Sequence, residues 1–389
     1  MKASLYLHIP FCAGACDYCD FYSIPVDPHD RRIGVYADTL LRDGERFIRD
    51  FGVSCIPTVY IGGGTPSMLG ASGIRRLLSG LAGLWRAKPE EITVEANPES
   101  AEEAFLLACR EGGVTRISLG VQSFHGPSRQ AVHRVGTEKV LAERLGLVSA
   151  IFGRAFSVDL IAGLPFQDER ILLGDIERVL AYKPDHISLY ALTLEPGTPL
   201  EQRISHNKTP LPDPDTADDL WIAGRDALEQ AGYGQYEVSN FALNGKRAAH
   251  NIRYWRMENW LGLGTAASST IVDDETGTGR RITIKPDMDA YIRGSLSPIV
   301  EELGRLTLMK ETFLMGFRYI EGPDEKLFQR RFGLPIRACI PHTLAVWQDR
   351  GLLQAGKPAL TAQGILFLDP FLLDVFEEAP ASLNIKDYR

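Results

Sequence analysis

The chain has 389 residues, of which 44% are hydrophobic and 24% charged, and its formal net charge is -8. This length predicts two domains, or one large barrel with an appendage. The acidic balance argues against a nucleic-acid-binding protein, and no apolar run reaches the length of a membrane span. Residues 1–6 lack the apolar segment of a signal peptide, so we expect a reducing cytoplasm.

The first predicted strand leads into a cysteine-rich loop. Cys12, Cys16 and Cys19 have the spacing C-x3-C-x2-C, which keeps their sulfurs within reach of one another. An odd number of cysteines in a reducing compartment disfavours a disulfide framework, and a zinc site usually closes with a fourth Cys or His. Three thiolates suit an iron–sulfur cluster that leaves one iron open. The loop therefore predicts a [4Fe-4S] centre, with structural zinc as the alternative.

Strand-like and helix-like segments alternate through the first half of the chain. The predicted strands are residues 4–8, 57–61, 92–95, 116–120, 155–161 and 186–191. Helical patterns lie around residues 33–47, 74–85, 101–111, 138–151 and 169–181. Six strand–helix repeats indicate a parallel sheet with right-handed crossovers, either an open doubly wound sheet or a (β/α) barrel.

Polar or glycine-rich residues follow these strands at their C-terminal ends. They are Gly62, Gly63, Gly64 and Thr65, then Glu95 and Asn97, then Gly120 and Gln122, and finally Asp159, Ser188 and Tyr190. Each alone has an ordinary explanation, such as a tight turn or a surface acid. Together, at the ends of successive parallel strands, they are typical of a barrel active site. We therefore predict an α/β fold, a partial (β/α)6 TIM-like barrel with its site at the mouth.

These motifs resemble those of a known family. The cysteine spacing, with Tyr18 before the third cysteine, resembles the signature of the radical S-adenosylmethionine enzymes. The segments HIPFC, GGGTP, GVQ and DLIAGLP resemble the branch around the oxygen-independent coproporphyrinogen oxidases. The resemblance implies a cluster on Cys12, Cys16 and Cys19. It also implies S-adenosylmethionine held by Tyr6, Tyr18, Gly63, Gly64, Thr65, Glu95, Gln122, Arg134, Asp159 and the backbone near Ala191.

The strand–helix rhythm stops near residue 200, and a proline-rich loop at 209–215 precedes a predicted helix at 216–231. The segments GYGQYEVSNFA at 232–242 and HNIRYW at 250–255 resemble the signatures of the HemW group of haem chaperones. The resemblance makes His250 the predicted haem ligand, since imidazole is the usual proximal donor. Residue chemistry alone slightly favours another interpretation, in which His250 makes loop hydrogen bonds and Tyr254 and Trp255 belong to a core.

Two positions depart from the related patterns. Phe21 stands where the decarboxylating oxidases carry a fourth cysteine, two residues beyond the third. Ser268 stands where the chaperone group usually has a histidine in its glycine-rich turn. Any role of that imidazole cannot be transferred to this chain.

The last part of the chain, from about residue 301, predicts three helices, a short hairpin at 352–361 and a final helix at 362–376. This α-rich pattern is winged-helix-like, and its acidic tail argues against nucleic-acid binding. We therefore divide the chain into a barrel at 1–205, a connecting segment at 206–300 and a smaller C-terminal domain at 301–389.

The predicted function is a haem chaperone that binds a [4Fe-4S] cluster, S-adenosylmethionine and haem, and delivers haem to proteins such as respiratory cytochromes. The alternative is an oxygen-independent coproporphyrinogen III oxidase, which decarboxylates propionate side chains by radical chemistry. A zinc-stabilised binding barrel is a third possibility. The expected partners are haem and haem-accepting proteins, without nucleic acid or membrane insertion, and the expected state is a monomer or a cluster-dependent dimer.

Overall fold

The computed structural model of the chain describes residues 1–206 and 208–379. Its strands are β1 Ser4–Ile9, β2 Phe11–Cys12, β3 Ile24–Pro25, β4 Thr58–Gly63, β5 Glu91–Ala96, β6 Arg116–Gln122, β7 Phe156–Ala162, β8 His186–Ala191, β9 Tyr233–Gln235, β10 Asn240–Leu243, β11 Trp260–Leu263, β12 Ser268–Asp273, β13 Thr278–Thr283 and β14 Ile299–Leu303.

The helices are α1 Arg31–Asp50, α2 Gly70–Ala82, α3 Glu103–Glu111, α4 Gly126–Ala131, α5 Glu138–Phe152, α6 Glu169–Leu180, α7 Pro199–Ser205, α8 Pro214–Gln230, α9 Ala249–Trp255, α10 Met288–Ile292, α11 Arg305–Gly316, α12 Glu325–Phe332, α13 Ile336–Cys339, α14 Pro341–Asp349 and α15 Leu368–Glu378. Short 3-10 helices, Pro66–Leu69 and Gly364–Phe367, precede α2 and α15.

Twelve strands form one sheet, in the order β14-β13-β12-β11-β1-β4-β5-β6-β7-β8-β10-β9. The central strands β11, β1 and β4 to β8 are parallel to one another. The outer strands pair antiparallel with their neighbours at both edges. The predicted α/β class and partial barrel are confirmed, since the six predicted strands lie side by side in chain order.

The central strands alternate apolar and polar side chains. In β4, Val59 and Ile61 are fully buried in the main apolar core, which also contains Leu40 and Leu77 from the outer helices. Successive side chains of a strand point to opposite faces. The polar positions between them, such as Tyr60, therefore face the concave interior of the barrel.

A second apolar core holds the C-terminal helices together. Phe313, Phe317, Phe328, Trp347 and Phe371 form its aromatic centre. The predicted helical C-terminal part is confirmed in outline, with α13 as an additional short helix. The predicted hairpin is reduced to an isolated antiparallel bridge between Leu353 and Leu360.

The segment interpreted as a connection contributes β9 to β13 and the start of β14 to the sheet, and β11 among them is a central strand paired with β1. Apart from that parallel pairing, these strands are antiparallel to their neighbours. The proposed domain limits remain a prediction, and residues 380–389 of the third segment lie outside the described residues. Within the described part, no helix is long and apolar enough to cross a membrane.

Candidate functional site

Cys12 ends the short strand β2, and Cys16 and Cys19 lie in the loop that follows it, beyond the C-terminal end of β1. All three are half-buried. Cys12 Sγ lies 3.4 Å from the hydroxyl of Thr65, and Arg134 Nη1 donates to Cys16 Sγ at 3.4 Å. Burial raises the pKa of the Cys12 thiol and raises that of Cys19 to about 11. A metal must therefore displace thiol protons at these positions.

Asp17 anchors the cysteine loop to the rest of the barrel. Its side chain is buried and contacts His133 Nδ1 at 2.7 Å and the guanidinium of Arg203. Its backbone donates to the carbonyl of Val132 and accepts from the amide of Leu200. These four contacts hold the loop from two sides, so the positions of Cys16 and Cys19 depend on α4 and α7.

A chain of hydrogen bonds joins the cysteine loop to three strand ends. Asn97 Nδ2 donates to the Thr65 hydroxyl at 2.8 Å, and Arg134 Nη2 donates to Asn97 Oδ1 at 2.7 Å. Arg134 Nη2 also donates to the carbonyl of Gly120 at 2.6 Å. The network therefore runs from Cys12 to Cys16 through side chains at the ends of β4, β5 and β6.

Arg129 shapes the loop that carries Arg134. Its side chain is 3% exposed and its Nη1 donates to the carbonyls of Val121 and Ser123 at 2.7 and 3.0 Å. Its Nε donates to the carbonyl of Gly136 at 3.1 Å. One buried guanidinium thus donates hydrogen bonds to three backbone carbonyls at and after the end of β6.

Glu95 is the first of two carboxylates inside the mouth. Tyr60 donates its hydroxyl proton to Glu95 Oε1 at 2.6 Å, and the amide of Gly63 donates to Oε2 at 3.1 Å. Desolvation inside the barrel raises the pKa of Glu95 to about 7. Tyr6 stacks on Tyr60, with ring centroids 6.3 Å apart. Two hydrogen-bond donors thus orient Glu95, and its carboxyl group is only partly ionised at neutral pH.

Asp159 is the second carboxylate and lies on β7. Desolvation raises its pKa to about 6, opposed by hydrogen bonds from Ser188 and Ser118. The Ser118 hydroxyl lies 3.3 Å from both carboxylate oxygens. Two acids inside one concave surface offer sites for a cationic or hydroxyl-bearing ligand.

Gln122, Arg134 and Gly63 at the mouth have features that are typical of residues in contact with a ligand. Gln122 has a φ of 68° and lies at an irregularity in the pairing of β6 with β7. Its Oε1 and the Nε of Arg134 are buried, and neither has a hydrogen-bond partner among the described residues. Gly63 has a φ of 106°, which favours glycine. Buried polar atoms without partners and strained backbone are typical of ligand sites.

The remaining predicted mouth residues occupy edge positions. Tyr18 packs against the small cluster that contains Val132 and Leu164, and burial raises its pKa. Ala191 is exposed at the end of β8, where it pairs with Ala162. The structure therefore gathers the predicted S-adenosylmethionine residues and the cysteines at one end of the barrel.

His250 lies at the opposite end, the floor of the barrel. It is 1% exposed, and its Nδ1 and Nε2 lie 2.8 Å from the hydroxyl of Thr58 and 3.1 Å from that of Tyr254. Burial lowers its pKa to about 3. Haem ligation by His250 remains a prediction, and it would require the ring to release one of these hydroxyls.

A second histidine has the same arrangement. His186 contacts the Ser157 hydroxyl through Nδ1 at 2.7 Å and the Tyr236 hydroxyl through Nε2 at 2.8 Å. Burial lowers its pKa well below the ordinary value. Each histidine therefore joins a strand hydroxyl to a tyrosine from the segment after residue 230, and together they close the floor.

An ion pair also belongs to the floor. Glu91 Oε2 lies 3.3 Å from Arg116 Nη2, and Glu91 Oε1 accepts from the amide of His250 at 2.9 Å. The amide of Ala249 donates to Glu91 Oε2 at 3.1 Å. Helix α9 thus takes its N-terminal cap from a barrel strand, because no side chain of its own caps it.

The donor chemistry of the mouth fits an iron–sulfur cluster. Within residues 1–206 and 208–379, no three His, Cys, Asp or Glu side chains gather around a point where one metal ion would bind. A cluster makes a different demand, since its thiolates bind separate iron atoms. Three thiols on one loop, with unpaired polar atoms of Gln122 and Arg134 nearby, meet that demand.

Sequence reasoning did not single out several residues of this site. Tyr60, Ser118 and Arg129 received no role, and Asn97 was noted only as part of a motif. A signal existed for Tyr60 and Ser118, because each lies two residues before a predicted site glycine and therefore on the same face of its strand. Arg129 had no such signal, since its partners are backbone carbonyls and the carboxylate of the distant Glu99.

Comparison with known proteins agrees with this geometry. Residues 6–179 match the radical SAM superfamily. The chain is 33% identical over 382 residues to the heme chaperone HemW of Escherichia coli K12, a match that covers 96% of this chain and 97% of that one. It is also 33% identical over 376 residues to the mitochondrial radical S-adenosyl methionine domain-containing protein 1 of Mus musculus, covering 95% and 82%.

The fold is similar to that of coproporphyrinogen III oxidase (HemN) from Escherichia coli, with a TM-score of 0.79 at 23% identity, over 96% of this chain and 90% of that one. The partial barrel and the three-cysteine mouth define a radical SAM protein. Within that superfamily, the chain belongs to the family of the heme chaperone HemW.

Proposed function

We propose that this protein is a haem chaperone that binds a [4Fe-4S] cluster, S-adenosylmethionine and haem, and passes haem to acceptor proteins. The observation that carries the proposal is the likeness to HemW of Escherichia coli, at 33% identity over 96% of this chain. The order of the mouth groups along successive strand ends supports it. Respiratory haem proteins are the proposed acceptors.

Cys12, Cys16 and Cys19 would hold the cluster. When bound, the cluster supplies an open iron and a one-electron donor for S-adenosylmethionine. Thr65 and Arg134 orient two of the three thiols. Glu95 and Asp159 offer carboxylates to the cationic amine, the sulfonium and the ribose hydroxyls of S-adenosylmethionine.

Exposed apolar side chains in the segments after barrel strands offer contacts for the haem macrocycle. Phe21 lies between β2 and β3, Val135 after α4 and Phe166 after β7; they are 65%, 55% and 52% exposed, and Tyr190 at the end of β8 is 41% exposed. Because segments that follow parallel strands lie at the same end of a barrel, these side chains support an apolar ligand there. We propose that haem docks here, with its face towards Phe21. If His250 ligated the haem iron, its ring would have to leave the Thr58 or the Tyr254 hydroxyl, and the floor would be disrupted.

The fold likeness to coproporphyrinogen III oxidase keeps a second candidate, radical decarboxylation of propionate side chains. Phe21 supports the chaperone over that enzyme, because it replaces the further cysteine expected of the oxidases. A cluster on Cys12, Cys16 and Cys19 requires these thiols to stay reduced, which is the reason we propose the reducing cytoplasm. Dimer formation through the cluster belongs to the same proposal.

Metal analysis tests the cofactor part. Protein reconstituted anaerobically should contain iron and sulfide rather than zinc, and its [4Fe-4S] signal should vanish in the Cys12→Ala, Cys16→Ala and Cys19→Ala variants. Cys109→Ala is the matched control, because Cys109 is buried on α3, away from the loop. A cluster that survives all three loop substitutions, or stoichiometric zinc, contradicts the proposal.

A paired assay tests the haem part. The same protein should bind haem, seen as a Soret band, should transfer it to an apo-haemoprotein, and should form no protoporphyrinogen from coproporphyrinogen. Turnover of coproporphyrinogen at enzymatic rates would establish the oxidase instead. Failure to bind haem with the cluster intact would end the chaperone proposal.

A further inference from the structure

The HNIRYW segment lies against the floor, and a series of side-chain contacts leads from it towards the mouth. His250 and Tyr254 are four residues apart on α9, so they lie on one face of the helix. Thr58 donates its hydroxyl proton to Ser4 at 2.8 Å. The Thr58 oxygen therefore accepts from His250, which places the imidazole proton on Nδ1. His250 Nε2 then accepts the hydroxyl proton of Tyr254.

The His250 ring supports Tyr60 from below. The two ring centroids lie 5.2 Å apart with 32° between the planes, and Tyr6 stacks on Tyr60 at 6.3 Å. These two ring contacts restrict the position of Tyr60. Its hydroxyl donates to Glu95 Oε1, 2.6 Å away.

The backbone at the mouth leaves space for this pair. A Cβ at Gly62 would lie 2.7 Å from Tyr60 Cε1 and 2.8 Å from Glu95 Cδ. Glu95 in turn accepts from the amide of Gly63 at 3.1 Å. The contacts form one path from α9 to the glycines at the end of β4. In order, it consists of Tyr254, His250, Tyr60, Glu95 and Gly63. The path crosses the interior of the barrel.

We propose that His250 and Tyr254 are positioning residues for the S-adenosylmethionine site, where they hold Tyr60 so that its hydroxyl orients the Glu95 carboxylate. The inference rests on the proposed function for the existence of that site. Burial raises the pKa of Glu95 to about 7, and the hydrogen bond from Tyr60 opposes that rise. The hydrogen bond therefore also favours the charged carboxylate that a cationic ligand needs. The HNIRYW segment thereby acts on the mouth without touching the ligand.

The test measures S-adenosylmethionine affinity of anaerobically reconstituted protein by calorimetric titration. The electron paramagnetic resonance spectrum of the reduced cluster, recorded with and without S-adenosylmethionine, serves as a second readout. His250→Ala and Tyr60→Phe should each weaken binding roughly tenfold, the effect of losing one hydrogen bond to a charged group. The double variant should bind no more weakly than Tyr60→Phe alone, because both substitutions break one path.

Tyr233→Phe is the matched control, because it removes another buried tyrosine hydroxyl, which donates to the carbonyl of Pro184 at 2.6 Å. Its affinity should equal that of the wild type. If His250→Ala does not fold, Tyr254→Phe removes a single hydroxyl and should weaken binding roughly threefold. Unchanged affinity in a folded His250→Ala or Tyr254→Phe variant overturns the inference, as do additive losses in the double variant.

A haem titration of the same variants separates this inference from the proposed function. Retained haem binding by His250→Ala, together with the loss of S-adenosylmethionine affinity, supports positioning. Loss of the Soret band with unchanged S-adenosylmethionine affinity overturns it and establishes His250 as a haem ligand. Wild-type protein that binds no S-adenosylmethionine contradicts the proposed cofactor site itself.

Discussion

The mouth and the floor of this barrel both carry buried polar side chains, but they satisfy them differently. At the mouth, Gln122 Oε1 and Arg134 Nε have no partner among the described residues, and Asp159 has a raised pKa. At the floor, His186 and His250 each use both ring nitrogens. The two floor histidines are satisfied by protein hydroxyls, although Arg116 Nη1 beside them has no partner among the described residues. The unpartnered mouth atoms belong to the proposed S-adenosylmethionine site. Substitutions of floor groups should therefore mainly reduce stability, and reach binding only through the contact of His250 with Tyr60, whereas substitutions of the mouth carboxylates should mainly change binding.

The largest effect on stability is expected at the floor ion pair. Glu91→Ala leaves Arg116 without its carboxylate and leaves the amides of α9 without a cap. We expect the free energy of unfolding to fall by about 3–5 kcal/mol, measured by urea denaturation. Glu90→Ala is the matched control, because Glu90 is an exposed neighbour paired with Arg253 at 2.9 Å. An equal loss in both variants would remove the distinction between floor and surface.

A close contact at the mouth should give a smaller loss. A Cβ at Gly64 would lie 2.8 Å from the carbonyl oxygen of Ile9 and 2.9 Å from that of Phe11. Gly64→Ala should therefore destabilise the protein by about 1–3 kcal/mol and lower the iron content after reconstitution. Gly14→Ala is the control within the cysteine loop, since nothing lies within 4 Å of its Cβ. A tolerated Gly64→Ala would contradict the described path of the backbone.

Asp159→Asn should raise the free energy of unfolding, whereas the two preceding substitutions should lower it. The pKa of Asp159 is about 6 in the folded protein, above its ordinary value of 3.8, so the fold loses stability as pH rises from 3.8 to about 6 and the loss stays constant above that. Removing the charge should stabilise the ligand-free protein by about 1–2 kcal/mol at pH 8, less than the full linkage because Asp159 is half-buried. The gain should disappear at pH 3.5, where both states of the wild type are mostly protonated.

Denaturation of metal-free protein at the two pH values measures this difference. A stabilisation that is the same at pH 3.5 and pH 8 would show that the carboxylate charge is not its source. S-adenosylmethionine affinity should fall in the same variant, because the site loses an anion. Stability and binding would then change in opposite directions at the mouth.

The smallest effect on stability is expected at Phe21. Its side chain is 65% exposed, and that of Leu373 on α15 is 64% exposed. Phe21→Ser and Leu373→Ser should each change the free energy of unfolding by less than about 0.5 kcal/mol. Only Phe21→Ser should weaken haem binding, roughly fivefold, through the loss of apolar contact. Equal haem affinity in the two variants would exclude Phe21 from the docking surface.

Sequence patterns were sufficient for the central barrel. The predicted strand at 186–191 has the observed bounds of β8, and the prediction at 4–8 differs from β1 by one residue. In these strands about every second residue is apolar, and this alternation is visible in the sequence without knowledge of the partner strand. The rule that sites lie at the C-terminal ends of parallel strands also placed Glu95 and Asp159 in one mouth.

The edge strands and the supporting residues required the structure. Most of the strands from β9 to β14 pair with strands next to them in the chain, but β11 lies beside β1, which pairs Trp260 with the distant Ser4. Arg129 donates hydrogen bonds to the backbone carbonyls of Val121 and Ser123. A pattern of side-chain types does not predict such contacts. Residue chemistry alone favoured hydrogen bonds for His250, and both ring nitrogens do lie within hydrogen-bond distance of hydroxyls, but His250 belongs to helix α9 rather than to a loop, and Tyr254 and Trp255 are only half-buried.

The amino-acid sequence by itself determined the family, the cysteine loop and the order of the barrel strands, because these features are local in spacing and periodicity. The tertiary structure decided that His250 lies at the floor, on the far side of the barrel from the cysteines. Thr58 and His250 are separated by 192 positions. A contact across that distance depends on how strands and helices pack, and a linear pattern of residue types does not encode it.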